Sequence, residues 1–414
     1  MALPATISVS LNFSSGATFG NPFIIGDPVS GVLGTGLLAD SSAPALIVDL
    51  TDVTRQINIK RGRNIGRDMY EAGTATVRIL DPSGDFNPQN TLSPLYGQLT
   101  PLRKLRISAT YAGTIYYLFS GYTTNYAYSY DQAENVSYVD ISASDAFRLF
   151  NLAAITTVTG STAGEKTGTR IGKILNTVSF PTSLRSIDTG NSNTQADPAT
   201  RRTSLAALQN VETVEQGAFY VNAEGIAKFL NRTNTVGSVA GSQIVFNQTG
   251  GIPYKNVKFA FDDKLIVNQA NVTRVGGTTQ TAIDAASVAS YFPHSVTYND
   301  LVAETDADCS NIAKIYVATR ATTTIRIDEM TVDLLDSSVP TGTILDMDYF
   351  TNVQISNIQP DSSVITKNLQ IQGVAWDITP NKWLGTFTTL EPITDGFIIG
   401  NTTYGVLGDD ILSY

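Results

Sequence analysis

The most specific stretch of this sequence is Arg61-Gly62-Arg63, followed by Tyr70-Glu71-Ala72-Gly73-Thr74-Ala75-Thr76-Val77 and Leu80-Asp81-Pro82-Ser83-Gly84-Asp85-Phe86-Asn87-Pro88. Three shorter segments follow it: Ser93-Pro94-Leu95-Tyr96-Gly97, Pro101-Leu102-Arg103 and Leu118-Phe119-Ser120-Gly121. All of them lie in a region, residues 46–148, whose period-two alternation and short turns predict antiparallel β-structure.

Within this region the alternation is clearest just after the quoted stretch. Apolar Leu105, Ile107 and Ala109 alternate with polar neighbours, which predicts a half-buried strand. Ala112-Gly113 then predicts a hairpin turn. Further strands carry Tyr126, Tyr128 and Tyr130 on one face and continue at 136–141, after a turn at 131–135. Strands at such short intervals favour a small β-barrel or sandwich over residues 46–148.

The pattern changes to mixed α and β over residues 149–250. Helical spacing of apolar residues predicts two helices, Thr169–Val178 and Ser204–Glu215. A hairpin is predicted after them, with strands at 219–221 and 226–230, and the polar segment 181–202 is predicted to be a long loop. A helix pair beside short strands indicates a small α+β module.

β-structure is predicted again over residues 251–395, as a second barrel domain. The candidate strands are Val257–Phe261, Ile266–Val275, Ile325–Leu335, Ile344–Ile358 and Leu369–Ile378. One helix near 305–318 interrupts them, because Thr305 and Asp308 have the spacing of a capping box. Cys309 falls on the apolar face of that helix, which predicts a packed thiol. Faint echoes link the two β regions, such as Phe119-Ser120-Gly121-Tyr122 and Ile371-Gln372-Gly373-Val374. They suggest two related barrels separated by an inserted module.

A duplicated motif lies near each end of the chain. Phe-Ile-Ile-Gly followed by Gly-Val-Leu-Gly occurs at 23–34 and again, at the same spacing, at 397–408. We therefore predict an N-terminal arm at 1–45 and a C-terminal arm at 396–414, whose apolar residues dock either onto the chain's own domains or onto a neighbouring subunit. The predicted interface residues are Phe23, Ile24, Ile25, Val32, Leu33, Arg61, Arg63, Phe397, Ile398, Ile399, Val406 and Leu407.

Composition points away from a general nucleic-acid binder. Lys and Arg number 27 and Asp and Glu 37, giving a net charge of −10, whereas affinity for phosphates needs a basic surface. Charged residues are only 15% of the 414 residues, below the roughly 25% typical of soluble domains. One basic cluster stands out, and we interpret it as an interface or solvated strand edge: Arg55, Lys60, Arg61, Arg63 and Arg67.

The single cysteine excludes an intrachain disulfide. The first residues do not resemble a signal peptide, and no apolar run is long enough to span a membrane.

Residues that could carry catalysis are few. His294 is the only histidine, and it is expected in a loop. Asp328 with Glu329, and Asp346 with Asp348, could each form a carboxylate pair, although polar strand faces and turns explain them better. Trp376 and Trp383 flank a predicted turn and could bind sugar if exposed, while packing in a barrel core is the commoner arrangement. We predict no catalytic residue, no cofactor and no metal site.

The quoted stretch resembles the minor tail proteins of long-tailed (siphovirus-type) bacteriophages, of the tail-tip or baseplate hub class. That family shows an Arg-Gly-Arg run, an EAGTATV strand, an Asp-x-x-Gly-x-Phe-x-Pro turn, a SPYYG segment and an LFTGY-like strand. Residues 205–231 and Gly373-Val374-Ala375-Trp376-Asp377-Ile378-Thr379-Pro380 also resemble its later segments. The resemblance extends over roughly residues 46–395.

The resemblance implies a non-enzymatic hub with two tail-tube-like β-barrels per chain. Three chains would form a homotrimeric, pseudo-sixfold ring that joins the tail tube to the tip and lines the DNA conduit. The implied partners are the distal tail or tail tube protein, tail fibre or tip proteins and the tape measure protein, with DNA passing without specific binding. The implied location is the tail tip of the virion, after assembly in a host cytoplasm.

Three alternatives stay open at this stage. A distal-tail protein would form a hexameric ring and carry one barrel per chain. A tail-associated cell-wall hydrolase would use carboxylates that the sequence does not single out. A carbohydrate-binding tail protein would present its tryptophans to solvent.

Overall fold

The computed structural model describes residues 3–13, 47–65, 68–132, 136–237 and 243–392. Strands make up 45% and helices 19% of the described residues, so the protein is mainly β, as predicted. The arm residues 23–34 and 397–408, together with Arg67, lie outside the described ranges.

The first β region is an antiparallel sheet in the order β3-β4-β7-β6-β5-β1-β2. Its strands are β1 (Thr6–Asn12), β2 (Ile47–Asp49), β3 (Thr54–Asn64), β4 (Met69–Leu80), β5 (Lys104–Tyr111), β6 (Thr114–Asp131) and β7 (Val136–Ser144). The predicted hairpin joins β5 to β6, and both of its turn residues, Ala112 and Gly113, have positive φ (48° and 83°). Leu105, Ile107 and Ala109 of β5 are buried, as their alternation predicts. The predicted N-terminal arm thus begins with a strand of the sheet, since β1 pairs along its whole length with β5.

The turn after β4 explains the Asp-x-x-Gly-x-Phe part of the quoted stretch. The buried Asp81 carboxylate accepts hydrogen bonds from the backbone N–H groups of Asp85 and Phe86, at 2.8 and 2.9 Å. Gly84 takes a φ of 68°, which glycine adopts without strain. Phe86 is thereby turned into the core, 5% exposed. The motif residues therefore fold one turn and anchor it.

The middle of the chain is the predicted α+β module. Its elements are α1 (Phe147–Leu152), β8 (Ala154–Ile155), β9 (Glu165–Lys166), α2 (Thr167–Thr177), β10 (Arg185–Ile187), β11 (Asn193–Thr194), β12 (Arg202–Thr203), α3 (Ser204–Glu215), β13 (Ala218–Val221), β14 (Ala227–Leu230) and α4 (Arg232–Gly237). Both predicted helices and the hairpin β13–β14 are present. The segment 181–202 is less irregular than predicted, because short strands and a 3-10 turn at Thr182–Leu184 punctuate it.

The last part of the chain, residues 243–392, contributes strands to the large sheet and forms a separate three-stranded sheet, β18-β17-β19. Its elements are β15 (Ile244–Asn247), β16 (Asn256–Ala260), β17 (Gln269–Arg274), β18 (Gln280–Ile283), α5 (Ala285–Tyr291), β19 (Ser295–Leu301), α6 (Asp306–Arg320), β20 (Arg326–Asp333), α7 (Thr341–Asp346), β21 (Asn352–Ile358), β22 (Val364–Thr379) and β23 (Lys382–Leu390). The predicted strand Ile344–Ile358 is wrong in its first part, where α7 forms. Consecutive Ile344 and Leu345 are both buried, which one face of a helical turn allows and an alternating strand does not.

One strand joins the two β regions. The first half of β22 pairs with β21, and its second half, residues 373–378, pairs with residues 57–62 of β3. The strand order therefore runs from β16 through β20, β23 and β22 into β3 and on to β2, as one thirteen-stranded sheet. One apolar core, the first core, lies on this sheet and contains residues of both β regions.

A second core lies in the α+β module and recruits part of the predicted second barrel domain. α1, α2, α3 and the β13–β14 hairpin share it with β17 and α6. The predicted domain 251–395 is thus distributed over both cores, while its closure as a separate barrel stays a prediction. The predicted capping box at the start of α6 is confirmed, and so is the burial of Cys309, at 0% exposure.

Candidate functional site

The Arg-Gly-Arg run of β3 lies where the two β regions and the second core meet. On β3, Ile57, Ile59 and Arg61 occupy successive inward positions. Gly62 faces β22 so closely that a Cβ atom there would lie 2.6 Å from the Cα atom of Gly373. Only glycine permits this approach, and the pairing of β3 with β4 shifts register next to it. The motif therefore joins the two β regions and directs Arg61 into the protein interior.

Arg61 is 4% exposed and forms an ion pair with Asp348, at 3.1 Å from Nη2 to Oδ1. Its guanidinium also lies over the ring of Tyr349, 5.2 Å from the centroid. Burial by itself lowers the pKa of Arg61, but Asp348 outweighs it, so the pKa is raised and the charge is held. The Nε and Nη1 atoms find no hydrogen-bond partner among the described residues.

Arg63 takes part in a second ion-pair group, which ties the β3–β4 connection to helix α6. Asp68 accepts from Arg63 at 2.6 Å through one oxygen and from Arg320 at 2.7 Å through the other. The Tyr316 hydroxyl donates to the same carboxylate at 3.3 Å. Burial raises the pKa of Asp68, but Arg63 and Arg320 lower it by more than burial raises it. The pKa of Asp68 is therefore below its ordinary value. α6 is thereby held against the sheet by charge as well as by packing.

Two buried carboxyl groups complete the polar part of the site. Burial raises the pKa of Glu212, on α3, to about 8, and that of Asp145, after β7, to about 7. Glu212 accepts from the Phe219 backbone N–H at 2.9 Å, and its second oxygen has no hydrogen-bond partner in the described ranges. Asp145 accepts from the Gly73 N–H at 2.6 Å. A Cβ at Gly73 would lie 2.8 Å from that carboxylate, which explains the glycine of EAGTATV.

Aromatic rings fill the space between these charges. The ring centroids of Tyr70, Tyr220 and Tyr349 lie 5.1–5.3 Å apart in all three pairs. The Tyr70 hydroxyl donates to Gln372 of β22 at 2.7 Å. We call the whole group the junction cluster: Arg61, Arg63, Asp68, Tyr70, Asp145, Glu212, Tyr220, Tyr316, Arg320, Asp348 and Tyr349. A cavity of about 110 Å³ opens beside it, lined in part by Arg63, Glu212 and Arg320.

The junction cluster changes the interpretation of the basic residues. We expected Arg61 and Arg63 at an interface between subunits, and that role stays a prediction. Within the chain, their guanidinium groups pair with Asp348 and Asp68. The alternation Ile57, Ile59, Arg61 could have indicated this, because it places Arg61 on the buried face of β3. Arg55 and Lys60 are exposed and fit the predicted solvated strand edge.

The candidate catalytic and sugar-binding residues are dispersed. Trp376 and Trp383 are 2% and 0% exposed and pack in the first core, so they offer no exposed ring to a sugar. Asp328 pairs with Arg326, Glu329 with Lys258, and Asp348 with Arg61. His294 lies in a loop, where its ring contacts Asp263 at 3.2 Å. Across the described ranges, no group of three or more His, Cys, Asp or Glu side chains is arranged to hold a metal ion.

Comparison with known proteins gives matches in structure. No protein-family model matches the sequence, and no curated protein matches it. The crystal structure of the prophage MuSo2 43 kDa tail protein from Shewanella oneidensis is similar, with a TM-score of 0.53 at 13% identity, over 84% of this chain and 94% of that one. A tail protein from Neisseria meningitidis MC58 is also similar, with a TM-score of 0.56 at 10% identity, over 94% of this chain and 96% of that one.

The chain therefore has the fold of these tail proteins over most of its length. This likeness confirms, at the level of fold, the resemblance carried by the quoted stretch. Among the described helices, none combines the length and the apolar character needed to cross a bilayer.

Proposed function

We propose that this chain is a structural, hub-like protein of a bacteriophage tail. The observation that carries the proposal is the extent of the likeness in fold. It covers 94% and 96% of two tail proteins, and 84% and 94% of this chain. A shared fold does not by itself fix a function. The quoted stretch, Arg61 to Pro88, adds a resemblance in sequence to tail-tip hub proteins, and its three described glycines, Gly62, Gly73 and Gly84, each have a defined backbone role.

In the more detailed form of this proposal, three chains close into a ring between the tail tube and the tip, around the DNA conduit. Each chain supplies two β regions, joined side by side through β3 and β22. Two β regions in each of three chains suit a ring that has sixfold character on the side of the tail tube and threefold character on the side of the tip. Among the described strands, β16 and β2 at the ends of the strand order each pair on one side only, and they could pair with neighbouring subunits. A surface with few charges suits permanently buried contacts, and a net charge of −10 discourages DNA from adhering.

The proposed role is mechanical rather than catalytic. The proposed neighbours are the distal tail or tail tube protein, the tape measure protein and the tip or fibre proteins, in virions assembled in the host cytoplasm. Burial of both tryptophans argues against the carbohydrate-binding alternative. Cell-wall hydrolysis by the purified chain, lost on a single Asp or Glu substitution, would favour the enzymatic alternative instead.

The test is the composition of assembled tails. Tails released from a producing strain are dissociated gently, and the mass of the assembly containing this 44.3 kDa chain is measured by native mass spectrometry. We expect three copies per assembly, and no complete tails from a strain that lacks the gene until it is supplied again. Six copies would favour the distal-tail ring. Complete tails that contain none of this chain would overturn the tail role altogether.

A further inference from the structure

An exposed apolar surface lies beside the end of the described chain. Phe261, Phe292 and Ile325 are 69%, 80% and 41% exposed, although large apolar side chains favour burial. They belong to three different segments, following β16, following α5 and preceding β20. We call these three residues, with the loops that carry them, the Phe292 surface.

Hydrogen bonds and ion pairs hold the three segments together. Asp262, next to Phe261, pairs with Arg326 at 2.8 Å, and its backbone carbonyl accepts from the Thr323 hydroxyl at 2.7 Å. Asp263 contacts the His294 ring at 3.2 Å. Each contact lies within two residues of one of the exposed apolar side chains, so the three side chains belong to one pinned region of the surface.

The backbone at Phe292 is strained, and a buried residue maintains that strain. Phe292 has φ 65° and ψ 164°, a conformation that bulky residues rarely adopt. Asn268 is fully buried; its Nδ2 donates to the Phe292 carbonyl at 2.8 Å, and its Oδ1 accepts from the His294 N–H at 2.7 Å. The fixed, strained loop therefore keeps a phenylalanine 80% exposed, and strained backbone and exposed apolar groups both occur preferentially at sites of contact.

The described chain ends next to this region. Glu391 accepts from the Thr324 hydroxyl at 3.4 Å. Leu390 and Glu391 also share a cavity of about 120 Å³ with Asp262, Leu265 and Thr323. Pro392 is the last described residue, and Phe397-Ile398-Ile399-Gly400 begins five positions later. The seven residue-to-residue steps from Pro392 to Ile399 span at most about 25 Å when extended, so the second copy of the duplicated motif is within reach of the surface.

We propose that the Phe292 surface is the docking site for residues 397–408 of the same chain, the C-terminal copy of the duplicated motif. Its Phe, Ile, Val and Leu side chains supply the apolar groups that the surface lacks. The first copy, residues 23–34, lies in the sequence between β1 and β2, and these two strands are at the other end of the strand order from β16. The proposal assigns a position to the C-terminal arm and does not depend on the tail function.

Cysteine cross-linking in the full chain tests the docking. Phe292→Cys is combined with Ile399→Cys; Cys309 is fully buried and stays in place. The matched control combines Ile399→Cys with Leu92→Cys, because Leu92 is 93% exposed and lies in the first β region. Under mild oxidation we expect an intrachain 292–399 disulfide in most molecules, and at least tenfold less cross-linking at position 92.

Three results would overturn the proposal. Equal cross-linking at positions 92 and 292 would mean that the arm has no preferred site. A disulfide between chains would assign the surface to a neighbouring copy. Preferential cross-linking of Phe292→Cys with Ile25→Cys would assign it to the first copy of the motif.

A second measurement needs no added cysteine. In the Ile398→Ser/Ile399→Ser variant we expect the amides of Tyr291, Phe292 and His294 to exchange several-fold faster with deuterium than in the unaltered chain. The matched Ile24→Ser/Ile25→Ser variant should leave that exchange unchanged. Equal exchange rates in all three proteins would contradict the docking.

Discussion

The first core and the junction cluster use the inward positions of the same strand, β3, in opposite ways. Ile57 and Ile59 face an apolar interior, and no polar partner is needed to bury them. Two residues later Arg61 also faces inward, where it is matched by Asp348, 287 residues away in the sequence. Apolar burial tolerates many partners, whereas a buried charge requires a specific one. The sheet is thus held by packing, whereas the ion pairs of the junction cluster fix β3 relative to the segment before β21 and to helix α6.

The largest expected effect lies in the first core. Trp383→Ala removes a fully buried side chain, so we expect the free energy of unfolding to fall by about 3–5 kcal/mol, as measured by urea denaturation. The control, Leu152→Ala, alters a side chain that is 58% exposed and should change the value by less than about 0.5 kcal/mol. A loss below about 1 kcal/mol for Trp383→Ala would mean that this core does not dominate stability.

A substitution in the junction cluster should lower the free energy of unfolding slightly less, and replacing the remaining charges by apolar side chains should restore it. Asp68→Ala leaves Arg63 and Arg320 without their shared carboxylate, and we expect a loss of about 2–3 kcal/mol, since the three side chains are not completely buried. The triple variant Arg63→Met/Asp68→Leu/Arg320→Met should regain most of that stability in the same urea assay. Failure of the triple variant to recover would show that the charges stabilise the fold by themselves, which would remove the contrast with the first core.

The sequence predicted what depends on local pattern. The α6 capping box, the α2 and α3 helices and the β5–β6 hairpin arise from residues close together in the chain, so alternation and turn residues were enough. The sequence did not predict that β17 and α6 join the second core, because that choice depends on contacts between distant residues. The same limit applies to Arg61 and Arg63: their positions on β3 were visible, but Asp348 and Asp68 as their partners were not. α7 was missed because a short run of Thr, Gly and Ile carries a weak helical pattern.

A pH titration should reveal the buried carboxyl groups of the junction cluster. Burial raises the pKa of Glu212 to about 8 from an ordinary value near 4.5. The folded state therefore binds this proton more tightly than the unfolded state, and the resulting stability is complete below about pH 4.5 and is lost as the pH rises through 8. We expect the free energy of unfolding to fall by about 1 kcal/mol or more between pH 5 and pH 8.

Glu212→Gln is the matched variant, because glutamine keeps the shape of the protonated acid. The variant should lose much of the slope between pH 5 and pH 8, with the remainder from Asp145, whose pKa burial raises to about 7. An unchanged slope in Glu212→Gln would show that this carboxyl group ionises as freely as an exposed one. Trp383 packs among the apolar side chains described for the first core, so Trp383→Ala should keep the slope of the unaltered protein.

The smallest effect is expected at the Phe292 surface, which lies outside both cores. The Phe292 carbonyl and the Asp263 carboxylate raise the pKa of His294, so the contact is strongest below the ordinary value near 6.5 and weakens as the pH rises through the raised value. Because the pair is exposed, Asp263→Asn should leave the midpoint of urea denaturation unchanged. The same substitution should speed amide exchange at residues 261–264 and at Tyr291, Phe292 and His294, measured below pH 6.5, with little difference well above that pH. If the urea midpoint shifted as much as in Asp68→Ala, the loops around Phe292 would belong to the cooperative core rather than to a surface that holds its own local structure.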